Sequence, residues 1–204
     1  MAGIHMPIEL REALGSLSRL LSFEQEEDPP LWLLGGSCGL LLHGVPLTAE
    51  PRDIDLYSDL GEAHVLHGAL SGWALDKPAE DWSRGCYSLM SHYRIGAYPV
   101  DLVSGFRICC GQSRYTVETN LLLMDAPVQI VENLGCFRLM PLAHEFVFNV
   151  LRGRRDRYER IASVMRANKT KHLPLLQSLI KRNSLELEHI TQFEDLMETP
   201  LLHV

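Results

Sequence analysis

The sequence predicts an α+β fold: a mixed β-sheet with flanking helices over residues 1–140, followed by a helical region over residues 141–204. Three observations carry that reading. Up to residue 70, helical and strand-like patterns alternate. From Cys86 the pattern turns to short β-type runs, and after Pro141 the apolar residues fall at helical spacing. With no internal repeat and no low-complexity linker, the natural boundary sits near Pro141.

The elements follow in order. Residues 7–22, PIELREALGSLSRLLS, set Leu10, Leu14, Leu17, Leu20 and Leu21 at helical intervals, with Pro7 acceptable in the first turn. The acidic EQEEDPP reads as a surface loop. LWLLGG reads as a buried strand over 31–34 whose glycines lead straight into a helix over 37–43. VPLTAEP is a loop, 52–58 a second strand, and 60–70 a helix with Leu60, Ala63, Leu66 and Leu70 on one side. CYSLMSHYRIG and AYPVDLVSG form a hairpin across a Gly-Ala turn, and RYTVET, PVQIVEN and CFRLM are further short strands. Helices follow over 141–152, 155–167, 171–182 and 185–198.

A chain of 204 residues, 46% apolar and 22% charged, is an ordinary folded globule with core enough to dispense with staples. It has no run of eighteen apolar residues, so no membrane partner is expected. The opening MAGIHM is too short and polar for a signal peptide and reads as an expression-vector leader. Five cysteines without CxxC spacing argue against a disulfide scaffold or a Cys-rich zinc site, and for reduced thiols in a cytoplasmic protein. The net charge of −7 is unevenly spread. Residues 1–140 hold 18 acids and 9 bases, whereas 152–182 hold ten bases against Asp156 and Glu159. An acidic front and a basic middle suit a metal-plus-polyanion site, and equally an ordinary solvated helical surface.

The chemistry concentrates in LLGGSCGLLLHG and, shortly after it, RDIDLYSD. In a strand, residues two apart share a face. Asp53 and Asp55 therefore project together, with Ile54 and Leu56 opposite. Two bare carboxylates on one buried face repel and are costly to desolvate, a cost that a hard divalent cation removes. Facing water at a strand end is the plainer alternative. Gly35, Gly36 and Ser37 stand at a helix start, where free N–H groups attract anions. Asp101, between Val100 and Leu102, is a further acid in an apolar strand, rarely placed there for stability. Three carboxylates facing a phosphate-binding helix start suit an in-line phosphoryl or nucleotidyl displacement with one or two metals. His92 and Tyr93 either flank a substrate cleft or form a half-buried strand pair. Arg152, Arg154, Arg155, Arg157 and Arg160 form a basic cluster, with 152 and 155 near one helical face and 154 and 157 on a neighbouring one.

The order GGS, helix, R-D-I-D-L and a later V-D-L resembles the polymerase-β-type nucleotidyltransferase superfamily. Residues 31–59 match its pattern closely and 98–104 moderately. The likeness is greatest to small bacterial nucleotidyltransferases of the abortive-infection, toxin–antitoxin or antibiotic-modifying type. PLAHEFVFNVLRGRRDRYERIASVM is similar to their first C-terminal helices, with Arg155-Asp156 where Lys-Asp is usual and Glu159 where an aspartate is common. The resemblance implies a nucleotidyltransferase fold, with 1–140 as catalytic domain and 141–204 as helical region. It implies that Gly35, Gly36, Ser37 and Arg155 bind the nucleotide, and that Asp53, Asp55 and Asp101 are catalytic and hold Mg²⁺, one ion or two, with Mn²⁺ as substitute. Asp101 would also activate the acceptor hydroxyl. Arg52 would neutralise phosphate charge or form an ordinary salt bridge. The donor is a nucleoside triphosphate; the acceptor is a tRNA end, a protein or a small molecule. A homo-oligomer or a partner protein is compatible with this reading. The competing expectation is a non-catalytic nucleotide-binding or toxin–antitoxin-type interaction module on the same fold.

Overall fold

A computed structural model describes residues 6–22, 29–83 and 85–201. The expected leader, apart from Met6, and residues 24–28 of the EQEEDPP loop lie outside the described residues. Helix α1 spans Ile8–Leu20, strand β1 Leu33–Gly35, and helix α2 Gly36–Leu42. Strand β2 (Ile54–Ser58) and helix α3 (Ala63–Leu70) follow, a single 3₁₀ turn at Leu60–Glu62 forming the start of the expected 60–70 helix. Strands β3 (Ala79–Ser83), β4 (Cys86–Ile95), β5 (Tyr98–Cys110) and β6 (Ser113–Thr116) come next. After the short helix α4 (Thr119–Leu122), β7 (Val128–Val131) and β8 (Gly135–Arg138) form a separate hairpin. The helical region holds α5 (Leu142–Leu151), α6 (Arg155–Arg166), α7 (Lys169–Arg182) and α8 (Leu187–Met197). The architecture is the expected α+β one.

The main sheet runs β1-β2-β5-β4-β3, with β6 also on β5. Strand β2 is parallel to β5, and the other pairings are antiparallel. The register explains which residues meet which core. Ile54 pairs with Val100 and Tyr93 with Val100, a row that faces α1 and α3. Leu56 and Leu102, paired two residues on, face the same way. Tyr57 and Val103 point to the opposite side, where α5–α8 pack. Each fully buried aliphatic residue in these rows contributes about 1.5–3 kcal/mol. A slip of one residue would turn the whole set inside out.

Helix α5 lies beneath this second face and is buried all round. His144 Nδ1 meets the Tyr115 hydroxyl at 2.8 Å and Asn149 Nδ2 donates to the Glu145 carboxylate at 3.2 Å, while the buried Asn149 Oδ1 has no hydrogen-bond partner among the described residues.

Several strand boundaries differ from expectation, and β5 runs on to Cys110, past the expected end at Gly105. Strand β2 starts at Ile54, not at residue 52, so Asp53 precedes the strand. Extending the β2–β5 register would set Asp53 opposite Pro99, which has no N–H to continue the ladder. Strand β1 starts two residues later and ends one residue later than the 31–34 reading, because its pairing uses Leu33, Leu34 and Gly35 against Tyr57, Leu56 and Asp55. Strand β3 was invisible to a hydrophobic pattern: AEDWS is an edge strand with four of its five residues exposed.

Candidate active site

The same register that builds the cores sets a row of ionisable side chains across the sheet. Asp55 on β2 stands beside Asp101 on β5, which stands beside His92 on β4. In-register neighbours project to one face, here the side on which Tyr57, Val103 and Met90 pack against the C-terminal helices. The row therefore sits at the margin of that packed face. Gly35 pairs with Asp55 from the other side, so the glycine turn, the two aspartates and the histidine follow one another across four strands.

Gly36 adopts φ 57°, a left-handed conformation that favours glycine. Its missing side chain matters as much: a Cβ there would collide with the Asp55 carboxylate. The turn thus brings backbone directly against the central acid. The Gly36 N–H donates to Glu145 Oε1 at 2.9 Å, in a buried contact. The first donor of the seven-residue helix α2 is therefore held by the protein's own carboxylate. Ser37 is buried, and its Oγ accepts a hydrogen bond from the Arg157 guanidinium at 2.7 Å. The Cys38 thiol donates to the Asp53 carbonyl at 3.2 Å, and burial pushes its pKa up, so it stays a neutral thiol.

Beside this turn opens a cleft of about 310 Å³, lined among others by Ser37, Glu50, Arg52, Asp53, Arg154 and Arg157. Three guanidinium groups around one concave surface, with Ser37 at its wall, make an anion-binding environment, moderated by Asp53 and Glu50. Arg154 also pairs with Asp156 at 3.3 Å.

The electrostatics mark Asp55 as the stressed group. Burial, then repulsion from Asp53, Asp101 and Glu145, raises its carboxyl to about 7, with Arg157 pulling the other way. Burial likewise raises Asp101; His92 lowers it and Asp53 adds to the rise. Glu145 is raised to about 7 by burial, opposed by the Gly36 hydrogen bond, Arg157, Asn149 and Arg152. Carboxylates that resist ionisation together are in the situation a cation relieves. Among the described residues, no group of three His, Cys, Asp or Glu side chains is placed to hold a metal ion unaided. A hard cation completed by substrate phosphates needs only one or two carboxylates. The donor chemistry of Asp53, Asp55 and Asp101, with the strain among them, fits such a shared site.

The structure gathers Gly35, Gly36, Ser37, Arg52, Asp53 and Asp55 around the turn and cleft, and sets Asp101 next to Asp55. It does not bring Arg155 there. Arg155 opens α6, is 78% exposed, and pairs with Glu159 at 2.7 Å one turn along the same helix. Arg157 and Arg154, not Arg155, line the cleft, and Arg157 reaches Ser37. His43, at the end of α2, bonds to the Met140 carbonyl at 2.8 Å and ties two segments together. Much of the basic block is likewise engaged internally: Arg166 contacts Leu196 O and Glu198, Arg182 pairs with Glu118, and Arg160 reaches Pro46 O. Glu145 was missed by sequence reasoning, although an acid inside the apolar run PLAHEFVFNVL is the signal that singled out Asp101. No helix among the described residues is long and apolar enough to cross a membrane.

No protein-family model and no curated protein matches the sequence. In three dimensions the chain is similar to a Thermotoga maritima protein proposed to be a nucleotidyltransferase, with TM-score 0.59 and 19% identity over 80% of this chain and 98% of that one. It is also similar to the solution structure of the antibiotic-resistance factor ANT(2″)-Ia, with TM-score 0.50 and 11% identity over 86% of this chain and 94% of that one. At these identities the likeness shows a shared fold, that of the nucleotidyltransferases.

Proposed function

We propose that this protein is a divalent-metal-dependent nucleotidyltransferase, moving a nucleoside monophosphate from a nucleoside triphosphate to an acceptor hydroxyl with release of pyrophosphate. The observation that carries the reading is the pairing of Asp55 with Asp101 on adjacent strands, with Asp55 pressed against the Gly36 turn and Asp53, two residues before it, lining an arginine-bearing cleft.

Each part has a task. Arg157, Arg154 and Arg52 bind the β- and γ-phosphates in the cleft, and Ser37 reaches the same phosphates with its hydroxyl once Arg157 turns to them. The Glu145 carboxylate fixes the Gly36 turn, holding the backbone against Asp55. Asp53, Asp55 and Asp101 would hold Mg²⁺ or Mn²⁺, which when bound supplies neutralisation of the triphosphate oxygens. Asp101, one strand beyond Asp55 in the sheet, draws on the acceptor hydroxyl. Positioning and charge stabilisation of this kind account for most of the acceleration in phosphoryl and nucleotidyl transfer.

The test has two stages. Mg²⁺ with ATP or CTP should raise the melting temperature of the wild type and leave an Asp53→Ala/Asp55→Ala variant unmoved. Label on the α-phosphate should then pass to a component of a cell extract, and digestion with nuclease or protease assigns that component as RNA, protein or small molecule. A second reading, a nucleotide-binding module without catalysis, draws on the lack of a self-sufficient three-donor metal group among the described residues. Binding without transfer in the same assay would favour it.

A further inference from the structure

We propose that His92, oriented by Asp76, is an acceptor-binding residue: its Nε2 accepts a hydrogen bond from the acceptor molecule and so sets the attacking oxygen in line with the leaving pyrophosphate. The inference rests on the nucleotidyl-transfer reading and deepens it.

Position comes first. Across the sheet the order is Gly35, Asp55, Asp101, His92. With strands about 4.8 Å apart, the row places the phosphate-binding turn at one end, the paired carboxylates in the middle and His92 at the far end. An in-line displacement needs the entering oxygen opposite the leaving one. If the triphosphate lies in the arginine-lined cleft and its α-phosphate at Asp55 and Asp101, the acceptor enters from the His92 end.

Orientation comes second. Asp76, in the segment before β3, grips His92 twice: Oδ1 accepts the His92 backbone N–H at 2.7 Å and Oδ2 meets ring Nδ1 at 2.6 Å. Burial raises the Asp76 carboxyl, but the hydrogen bonds from His92 outweigh it and hold it below the usual carboxylate range; with Oδ1 already accepting the backbone N–H, the same carboxylate accepts at Oδ2 and Nδ1 carries the hydrogen. In the neutral ring that leaves Nε2 with a lone pair. Nothing among the described residues bonds to Nε2, and the side chain keeps 44% of its surface. The Leu75 N–H to His92 carbonyl bond, at 2.8 Å, fastens the same segment to β4. A doubly held histidine with an open Nε2, in register with the acid at the reaction centre, is a built contact for an incoming molecule.

The experiment compares wild type with His92→Ala, His92→Gln and Asp76→Asn, using Mg²⁺, ATP labelled on the α-phosphate, and a dilution series of cell extract as the acceptor source. Donor binding, read as the Mg-ATP shift in melting temperature, should be the same in all four. Transfer should fall about 100-fold in His92→Ala, the size expected when a reacting group is displaced by about 1 Å. His92→Gln places an acceptor oxygen near the Nε2 position and should recover at least tenfold of that loss. Asp76→Asn should resemble His92→Ala, because an amide donating to Nδ1 moves the ring hydrogen to Nε2. A purely structural role would instead lower the melting temperature and the Mg-ATP shift together. Wild-type rates in His92→Ala and Asp76→Asn overturn this inference alone. A wild type that binds Mg-ATP but labels nothing overturns it together with the transferase reading.

Discussion

Replacing Asp55 by asparagine should make the metal-free protein more stable while removing its nucleotide response. The Asp55 carboxyl rises from its ordinary 3.8 to about 7 in the fold, through burial first and then through Asp53, Asp101 and Glu145. The folded state thus holds its proton more tightly than the unfolded chain does. The sign follows: this contribution to stability is fully present below about pH 4 and is lost as pH rises through about 7. At about 1.4 kcal/mol per pH unit, ionising Asp55 at pH 8 costs the native state at most about 4 kcal/mol. Asparagine has nearly the same shape and no charge to desolvate. Urea unfolding in metal-free buffer at pH 4.5, 6 and 8 should show Asp55→Asn close to wild type at the lowest pH and more stable by 2–4 kcal/mol at the highest, about the size of the ionisation cost. Adding Mg²⁺ with ATP at pH 8 should narrow or reverse the gap, since only wild type gains a ligand. A constant difference across pH, or a less stable variant at pH 8, would refute the picture of a stressed central carboxylate.

Arg157→Ala should abolish most of the Mg-ATP melting shift, whereas Arg155→Ala should leave it within error, because only Arg157 reaches Ser37 and the cleft. Gly36→Ala should lower stability by about 1–2 kcal/mol through the left-handed backbone alone, and further through collision with Asp55, with loss of the nucleotide response. His144 is fully buried and held to about 3 by that burial, so it stays neutral in the fold. Its contribution is complete above pH 6.5 and declines as pH falls below it, by about 2 kcal/mol at pH 5. A His144→Leu variant should lack that segment of the acid limb in a pH series of denaturant melts.

Much of the site was legible because carboxylates in apolar strands obey a period of two. Asp55 and Asp101 stood out as acids within apolar runs, and the glycines beside a helix start pointed to the turn, whereas the register that sets Asp55 beside Asp101 is a pairing between strands that alternation within one strand does not carry. What periodicity cannot supply is the identity of the face that a helix offers to its neighbour. Arg155 and Arg157 both sit in the first turn of α6, and sequence spacing alone does not say which one looks toward α2. The i,i+4 partner Glu159 draws Arg155 along the helix surface, and the packing of α6 on α5 aims Arg157 at Ser37. Strand β3 escaped because an edge strand with exposed polar residues bears no hydrophobic signature. Asp76 escaped for a related reason: its meaning lies in a bond to His92, sixteen residues away in sequence.

Glu145 carries a consequence for anyone wishing to recombine such proteins. It comes from the helical third of the chain, yet it grips the glycine turn of the sheet, and Arg157 from the same third touches Ser37. The core beneath them interleaves Leu33, Tyr57 and Val103 with side chains from α5 to α8. A chimera joined near Pro141 would therefore import a foreign grip on the turn and a foreign cation at the cleft, however faithfully the strands were kept. On the proposal that His92 meets the acceptor, a graft of acceptor preference would move the hairpin that bears His92 and leave the helical third with its native sheet.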